Sequence, residues 1–305
     1  MRLGVLDVGS NTIHLQVVEA HGGARPSPTT NHKVELRLTE FLNESGEINA
    51  DGIALLFQGI DDAVAHAKSF QTEEILAFAT SALREATNGL AIIAEINKRH
   101  ELDLQILSGE EEARITFLAV RRWLGWSSGK LLVLDIGGGS LEMATGEDET
   151  PETAISLPLG AARLTREFLQ GDPFTSKSVK NLETHANAML KSKMPTNLQN
   201  HYADHFVATS KTFRTLARLA HHWYGDDPQR LDLNALLGII PRLTDMTTSA
   251  RAKLPGVSSG RAQQIVSGAI VARAAMEMLA ISEVEICPWA LREGVILKWL
   301  DWNER

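Results

Sequence analysis

Two stretches of the chain carry the same alternation. In LGVLDVGSNTIHLQV (3–17) an apolar, β-branched run ends in Asp-x-Gly, and beyond the turn polar Thr12, His14 and Gln16 alternate with apolar Ile13, Leu15 and Val17. Residues two apart on a strand share a face, so the pattern predicts strand, glycine turn, strand. LLVLDIGGGSLEMAT (131–145) repeats it without a gap at an offset of 128, with Asp135 on Asp7, Gly137 on Gly9, Ser140 on Thr12 and Glu142 on His14. A single repeat at that spacing predicts two related domains rather than a short-period solenoid.

Strand and helix patterns alternate after each copy. Strands are expected at 74–80, 102–108, 205–210 and 283–288, and helices at 81–100, 109–125, 211–225, 260–280 and 290–302. This alternation predicts an α/β fold. The stretch 170–200 reads as polar helix and loop, and GGARPSPTTN (22–31) as a loop from its Gly, Pro, Ser and Thr content. The expected domains are 1–120 and 121–305, with the final helix a candidate to pack back on the first.

Composition narrows the class. The 305 residues are 44% hydrophobic and 22% charged, enough for two globular domains. No apolar run approaches about 18 residues, so no membrane span is expected, and the N-terminus shows no secretory pattern. A single cysteine, Cys287 in the apolar stretch EVEICPWAL, excludes an internal disulfide, reads as a small buried hydrophobe and fits a cytoplasmic protein. The net charge of −8 argues against nucleic-acid binding but leaves room for a small polyanion held by local cations and backbone N–H groups. Trp123, Trp126, Trp289, Trp299 and Trp302 read as core, with a homodimer surface as the alternative.

Glycine lets a backbone approach a ligand closely, and successive N–H groups form an anion nest. The N–H groups of Gly138, Gly139 and Ser140 suit that use. Two such turns, each after a strand-end aspartate, are expected to face one another across a cleft and hold a substrate with several phosphates. Cleavage needs a base, and usually a metal. SGEEEAR (108–114) puts three acids at a strand-to-helix junction, where the helix dipole alone would account for one or two. Arg84, Arg114, Lys211 and Arg292 are each open to two readings, ion-pair partner or phosphate ligand; Lys33 and Arg37 are read as alternating on one strand face. The histidines of AHHWYG lack metal-site spacing and read as helix surface.

Taken in order, LDVGSNTIHLQV, ATSALREATNG, SGEEEARITFLAV, VLDIGGGSLEMA, PLGAARL, TSKTFRTLA and ALREGVIL resemble motifs of the exopolyphosphatase/guanosine pentaphosphate phosphohydrolase family, over residues 3 to about 299. The resemblance implies the actin-like ATPase superfamily fold, two RNase H-like domains flanking a cleft. It also implies hydrolytic release of the terminal phosphate of polyphosphate, or of the 5′-γ-phosphate of guanosine pentaphosphate, with Mg²⁺ or another divalent cation. By motif match Glu112 resembles the catalytic base and Glu142 the second acid, which helps place water or metal. Asp135 resembles the metal-associated aspartate and Asp7 its pseudo-symmetric mate. Gly137, Gly138, Gly139 and Ser140 resemble one phosphate loop, Gly9, Ser10 and Asn11 the other, and Arg84 a phosphate-binding arginine.

The chain departs from the family pattern at Ala208 and Lys211, where glycine is common, so Lys211 either adds a phosphate contact or narrows the pocket. RLTEFL (37–42) lacks the usual glycines and is expected to be stiffer, and Gln263 replaces a common acid. The chain stops after the last core helix, like the short two-domain members, which implies activity on short rather than long chains. Alternatives are guanosine pentaphosphate as substrate, a catalytically weak polyphosphate or nucleotide sensor, and an actin-like sugar or acetate kinase. The intact Glu112, Glu142 and Asp135 count against the sensor, and EEEAR against the kinase.

Overall fold

A computed structural model describes residues 1–21, 26 and 28–303. The chain divides into two compact units: Met1–Ile115 with Leu291–Arg305, and Thr116–Ala290.

The first unit contains β1 (Arg2–Val8), β2 (Thr12–Glu19), β3 (Pro28–Glu35), α1 (Ala50–Ser69), β4 (Glu74–Ala79), α2 (Ser81–Glu85), α3 (Gly89–His100), β5 (Leu104–Ile106) and the start of α4 (Gly109–Leu124). Its sheet runs β3-β2-β1-β4-β5; β1 pairs antiparallel with β2 and parallel with β4. Alternation on β1 decides the layers. Leu6 and Val8 pack with Leu56, Ile60 and Ile96 of α1 and α3. Leu3 and Val5 face the other way, onto Ile296.

The second unit holds the rest of α4, then β6 (Leu131–Ile136), β7 (Leu141–Gly146), β8 (Thr153–Leu157), α5 (Ala161–Phe168), α6 (Ser176–Lys193), α7 (Thr196–Gln199), β9 (His205–Thr209), α8 (Ser210–Tyr224), β10 (Arg230–Asp232), α9 (Leu233–Asp245), α10 (Thr248–Arg251), α11 (Ser259–Ala262), α12 (Ile265–Met278) and β11 (Glu283–Ile286); α13 (Leu291–Asn303) returns to the first unit. The sheet order β10-β11-β9-β6-β7-β8 repeats the three-strand meander and parallel crossover of the first sheet. α12 is apolar nearly all round and sits in the core, as such a helix must. Two mixed α/β sheets of the same wiring give the two-domain fold of the actin-like ATPases.

Local expectations changed in several places. Residues 22–25 and 27 lie outside the described residues, but Pro28–Asn31 are strand rather than loop. β3 is an edge strand and Pro28 its first residue, where a missing N–H costs no ladder bond. The strand ends at Glu35, so Lys33 and Arg37 do not share it; Arg37 adopts a left-handed backbone (φ 52°) before a 3₁₀ turn over Leu38–Phe41. The expected helix 81–100 is broken, because the Asn88 side chain bonds both the N–H (3.0 Å) and the carbonyl (2.9 Å) of Ile48. The expected helix 260–280 is likewise two helices, α11 and α12. Trp289 is buried and packs against Trp123 with the rings tilted by 60° and their centroids 5.3 Å apart, whereas Trp126 and Trp302 are exposed. Cys287 is buried and unbridged.

Candidate functional site

The two glycine turns have one geometry. The Gly9 N–H donates to Thr12 O (3.0 Å), and the Gly137 N–H to Ser140 O (2.9 Å). Each turn is then gripped by the segment after the third strand of its sheet. In the first unit Leu36 and Arg37 donate to Asn11 O (2.9 and 3.2 Å), and Leu38 to Ser10 O (2.9 Å). In the second, Ala161 donates to Gly137 O (3.0 Å), and Ala162 and Arg163 to Gly138 O (2.9 and 3.0 Å). In a planar trans peptide the C=O and the following N–H point in opposite directions. Carbonyls drawn toward the gripping segment therefore turn the N–H groups of Gly138 and Gly139 away from it. That is the arrangement an anion nest needs.

The three acids of EEEAR have three different roles. Glu111 forms a capping box: its carboxylate accepts from the Ser108 N–H (2.8 Å), and the Glu111 N–H donates to Ser108 Oγ (3.2 Å). Those bonds hold its carboxyl below the usual range. Glu110 pairs with Arg114 at 2.6 Å on the exposed helix face. Glu112 alone turns inward, with 8% of its surface accessible, and accepts a short bond from Arg84. Arg84 also donates to Leu107 O (2.6 Å). The guanidinium gives the buried carboxylate a charge-assisted hydrogen-bond partner, which fixes where its oxygens stand. Ser10 Oγ lies 2.7 Å from Ser81 Oγ, tying the first turn to the start of α2.

Asp7 closes β1 opposite His14 of β2. Arg292, on the first turn of α13, approaches its carboxylate to 4.0 Å. Gly294 permits that approach: a Cβ there would lie 2.1 Å from Ile115 O. Burial pushes the Asp7 carboxyl up to about 6, with Arg292 opposing the shift and Glu293 adding to it.

In the second unit Asp135 and Glu142 sit directly opposite on β6 and β7, two acids on one sheet face. Glu142 is buried and accepts from Ser156 Oγ (2.7 Å). Its other carboxylate oxygen lies 4.0 Å from where a Cβ on Gly137 would stand, beside the turn. Lys211 is exposed in the first turn of α8, after Ser210, whose backbone is left-handed (φ 80°); Thr212 Oγ1 anchors this helix to Ile136 O (3.0 Å).

The structure thus pairs Arg84 with Glu112, Asp7 with Arg292, and Asp135 with Glu142. Sequence reasoning gave no role to Ser81, Ser156, Gly160 or Arg163; PLGAARL was visible as a motif, but its contact with the turn is tertiary. Among the described residues no three His, Cys, Asp or Glu side chains cluster as a metal site. Mg²⁺ keeps several waters and typically takes one or two carboxylates together with substrate phosphates, so the oxygen pair Asp135 and Glu142 fits it. Among the described residues no helix is long and apolar enough to cross a membrane.

The Ppx/GppA phosphatase family model matches residues 16–303, and the chain belongs to that family. Exopolyphosphatase 1 of Mycobacterium tuberculosis is 52% identical over 99% of this chain and 89% of its own length. The guanosine-5′-triphosphate,3′-diphosphate pyrophosphatase of Pseudoalteromonas atlantica is 26% identical, over 97% of this chain and 58% of its own length. Among solved structures, the Aquifex aeolicus PPX-GPPA enzyme superposes with a TM-score of 0.78 at 28% identity, covering 98% of this chain and 99% of that one. An exopolyphosphatase from Cytophaga hutchinsonii shares the fold, with a TM-score of 0.86 at 23% identity over 99% and 98% of the two chains.

Proposed function

We propose that this protein is an exopolyphosphatase, releasing terminal phosphate from inorganic polyphosphate by attack of water. The observation that carries the reading is the pairing of a buried, Arg84-held Glu112 in a chain that also carries two N–H-presenting turns. The 52% identity to Exopolyphosphatase 1, against 26% to the guanosine pentaphosphate-type relative, favours polyphosphate as substrate.

Glu112 orients water and takes its proton. Within the first unit Arg84 and the N–H groups of its turn are the donors for phosphoryl oxygens, and within the second unit Lys211 and the N–H groups of its turn are; such donors stabilise charge that spreads over those oxygens in a loose transition state. Asp135 and Glu142 would hold a divalent cation, with Asp7 the corresponding donor of the first unit. When bound, the cation neutralises phosphate charge and polarises the phosphoryl group. Polyphosphate is the substrate on this reading, and the cytoplasm the compartment.

The test is a phosphate-release panel with Mg²⁺, using tripolyphosphate, long polyphosphate, guanosine pentaphosphate and ATP. The expected order puts polyphosphate ahead of guanosine pentaphosphate and ATP, with release abolished by chelation. Faster turnover of guanosine pentaphosphate would transfer the assignment to the second substrate. ATP-dependent phosphorylation of a small acceptor would replace hydrolysis with kinase chemistry.

A further inference from the structure

We infer that Arg163, in the first turn of α5, is a positioning residue for the GGGS turn, fixing the direction of the N–H groups that receive phosphate. This rests on the phosphate-loop reading above.

Three successive glycines give a turn with little conformational preference of its own. A donor set that must be ordered at each binding event costs affinity, whereas a set ordered in advance does not. Here the order comes from α5. Its first N–H groups hold Gly137 O and Gly138 O, and the next carbonyl, Gly139 O, accepts from Arg163 Nε at 2.9 Å. By peptide planarity, holding the Gly139 carbonyl sets the direction of the Ser140 N–H. Arg163 therefore completes a series of three restrained carbonyls, the last through a charged donor, which makes a stronger bond than a neutral one.

Gly160 makes the contact possible. A Cβ there would stand 2.1 Å from Gly139 C, 2.3 Å from Ser140 N and 2.4 Å from Gly138 O. The backbones touch, and no other residue fits without moving the turn. The first unit restrains its own turn through the backbone of Leu36, Arg37 and Leu38, while the Arg37 guanidinium lies toward Glu35 (3.9 Å) and Glu40 (3.6 Å). The side-chain restraint thus belongs to the turn that has three glycines in a row. Arg163 also approaches Glu167 at 3.7 Å, the plain helix-surface role that the experiment must separate.

The experiment uses the ¹⁵N-labelled full chain, wild type and R163Q, R163K and E167Q. The probe is the imido-bridged analogue of tripolyphosphate, read through the amide signals of Gly138, Gly139 and Ser140, beside kcat and KM on tripolyphosphate and the melting temperature. In wild type the three amides respond to the probe. R163Q is expected to bind it about tenfold more weakly and to raise KM about tenfold, with a smaller change in kcat and little change in melting temperature. R163K restores part of the affinity, and E167Q behaves as wild type. If R163Q does not fold, R163M, which keeps the aliphatic stem, carries the same readouts. Amides that respond identically in wild type and R163Q, at equal affinity, would overturn the proposal and leave the phosphate loop standing. Amides silent in wild type would instead remove the phosphate-loop reading itself.

Discussion

Glu112→Gln is expected to lower turnover on tripolyphosphate by about 10²–10⁴-fold, the usual contribution of a positioned base, while changing substrate affinity little. The substitution is nearly isosteric, and an amide oxygen still accepts from Arg84, so the local packing around the side chain survives. What is lost is the proton acceptor and the charge that aligns the water. Glu110→Gln and Glu111→Gln are the matched controls. Glu110 serves an exposed pair with Arg114 and Glu111 a helix cap, so both should keep most of the activity. Glutamine also serves at this capping-box position, its amide oxygen accepting from the Ser108 N–H, so E111Q should melt close to wild type. Steady-state phosphate release and equilibrium binding of the imido analogue measure the split. Near-wild-type turnover by E112Q would remove Glu112 from its role.

Asp7→Asn is expected to move activity and stability in opposite directions. Turnover at fixed Mg²⁺ should fall by about 10–100-fold through the loss of an oxygen donor. Stability should rise above pH 6. The folded-state carboxyl titrates near 6, above its ordinary value of 3.8, so the native state binds the proton more tightly than the unfolded chain. Asp7 therefore supports the fold at low pH, and that support is lost as pH rises from about 4 to about 6. Above this window the buried charge is a net cost. A shift of two units corresponds to about 3 kcal/mol. Since 24% of the side chain reaches solvent, about 1–2 kcal/mol is the expected gain. Urea unfolding of both proteins between pH 4 and 8 measures it. A difference that stays flat with pH would show that Asp7 is not held protonated by burial.

These two sites also show what the sequence can display. The duplicated Asp-x-Gly turns were legible because strand alternation has a period of two and the turn chemistry is local. The alternation of strands and helices was legible for the same reason. The division of labour in EEEAR was only half visible. Ser108 and Glu111 have capping-box spacing, but the turn of Glu112 toward Arg84 joins residues 28 apart in sequence. The break at Asn88 was hidden because its partner, Ile48, lies 40 residues upstream. Gly160 and Gly294 look like ordinary glycines in a row of letters. Their purpose is a backbone contact with Gly139 and with Ile115, which only the folded chain displays. The first residues of β3 were read as loop because Pro and Thr are common in loops, and edge position reverses that inference.

In an exopolyphosphatase of this kind water attacks the terminal phosphorus. The direct measurement is hydrolysis of tripolyphosphate by the wild-type chain with Mg²⁺ in ¹⁸O-labelled water, followed by mass analysis of both products. One ¹⁸O is expected in each released orthophosphate and none in the pyrophosphate left behind. Label in the remaining pyrophosphate, or release of unlabelled orthophosphate, would contradict attack at the terminal phosphorus.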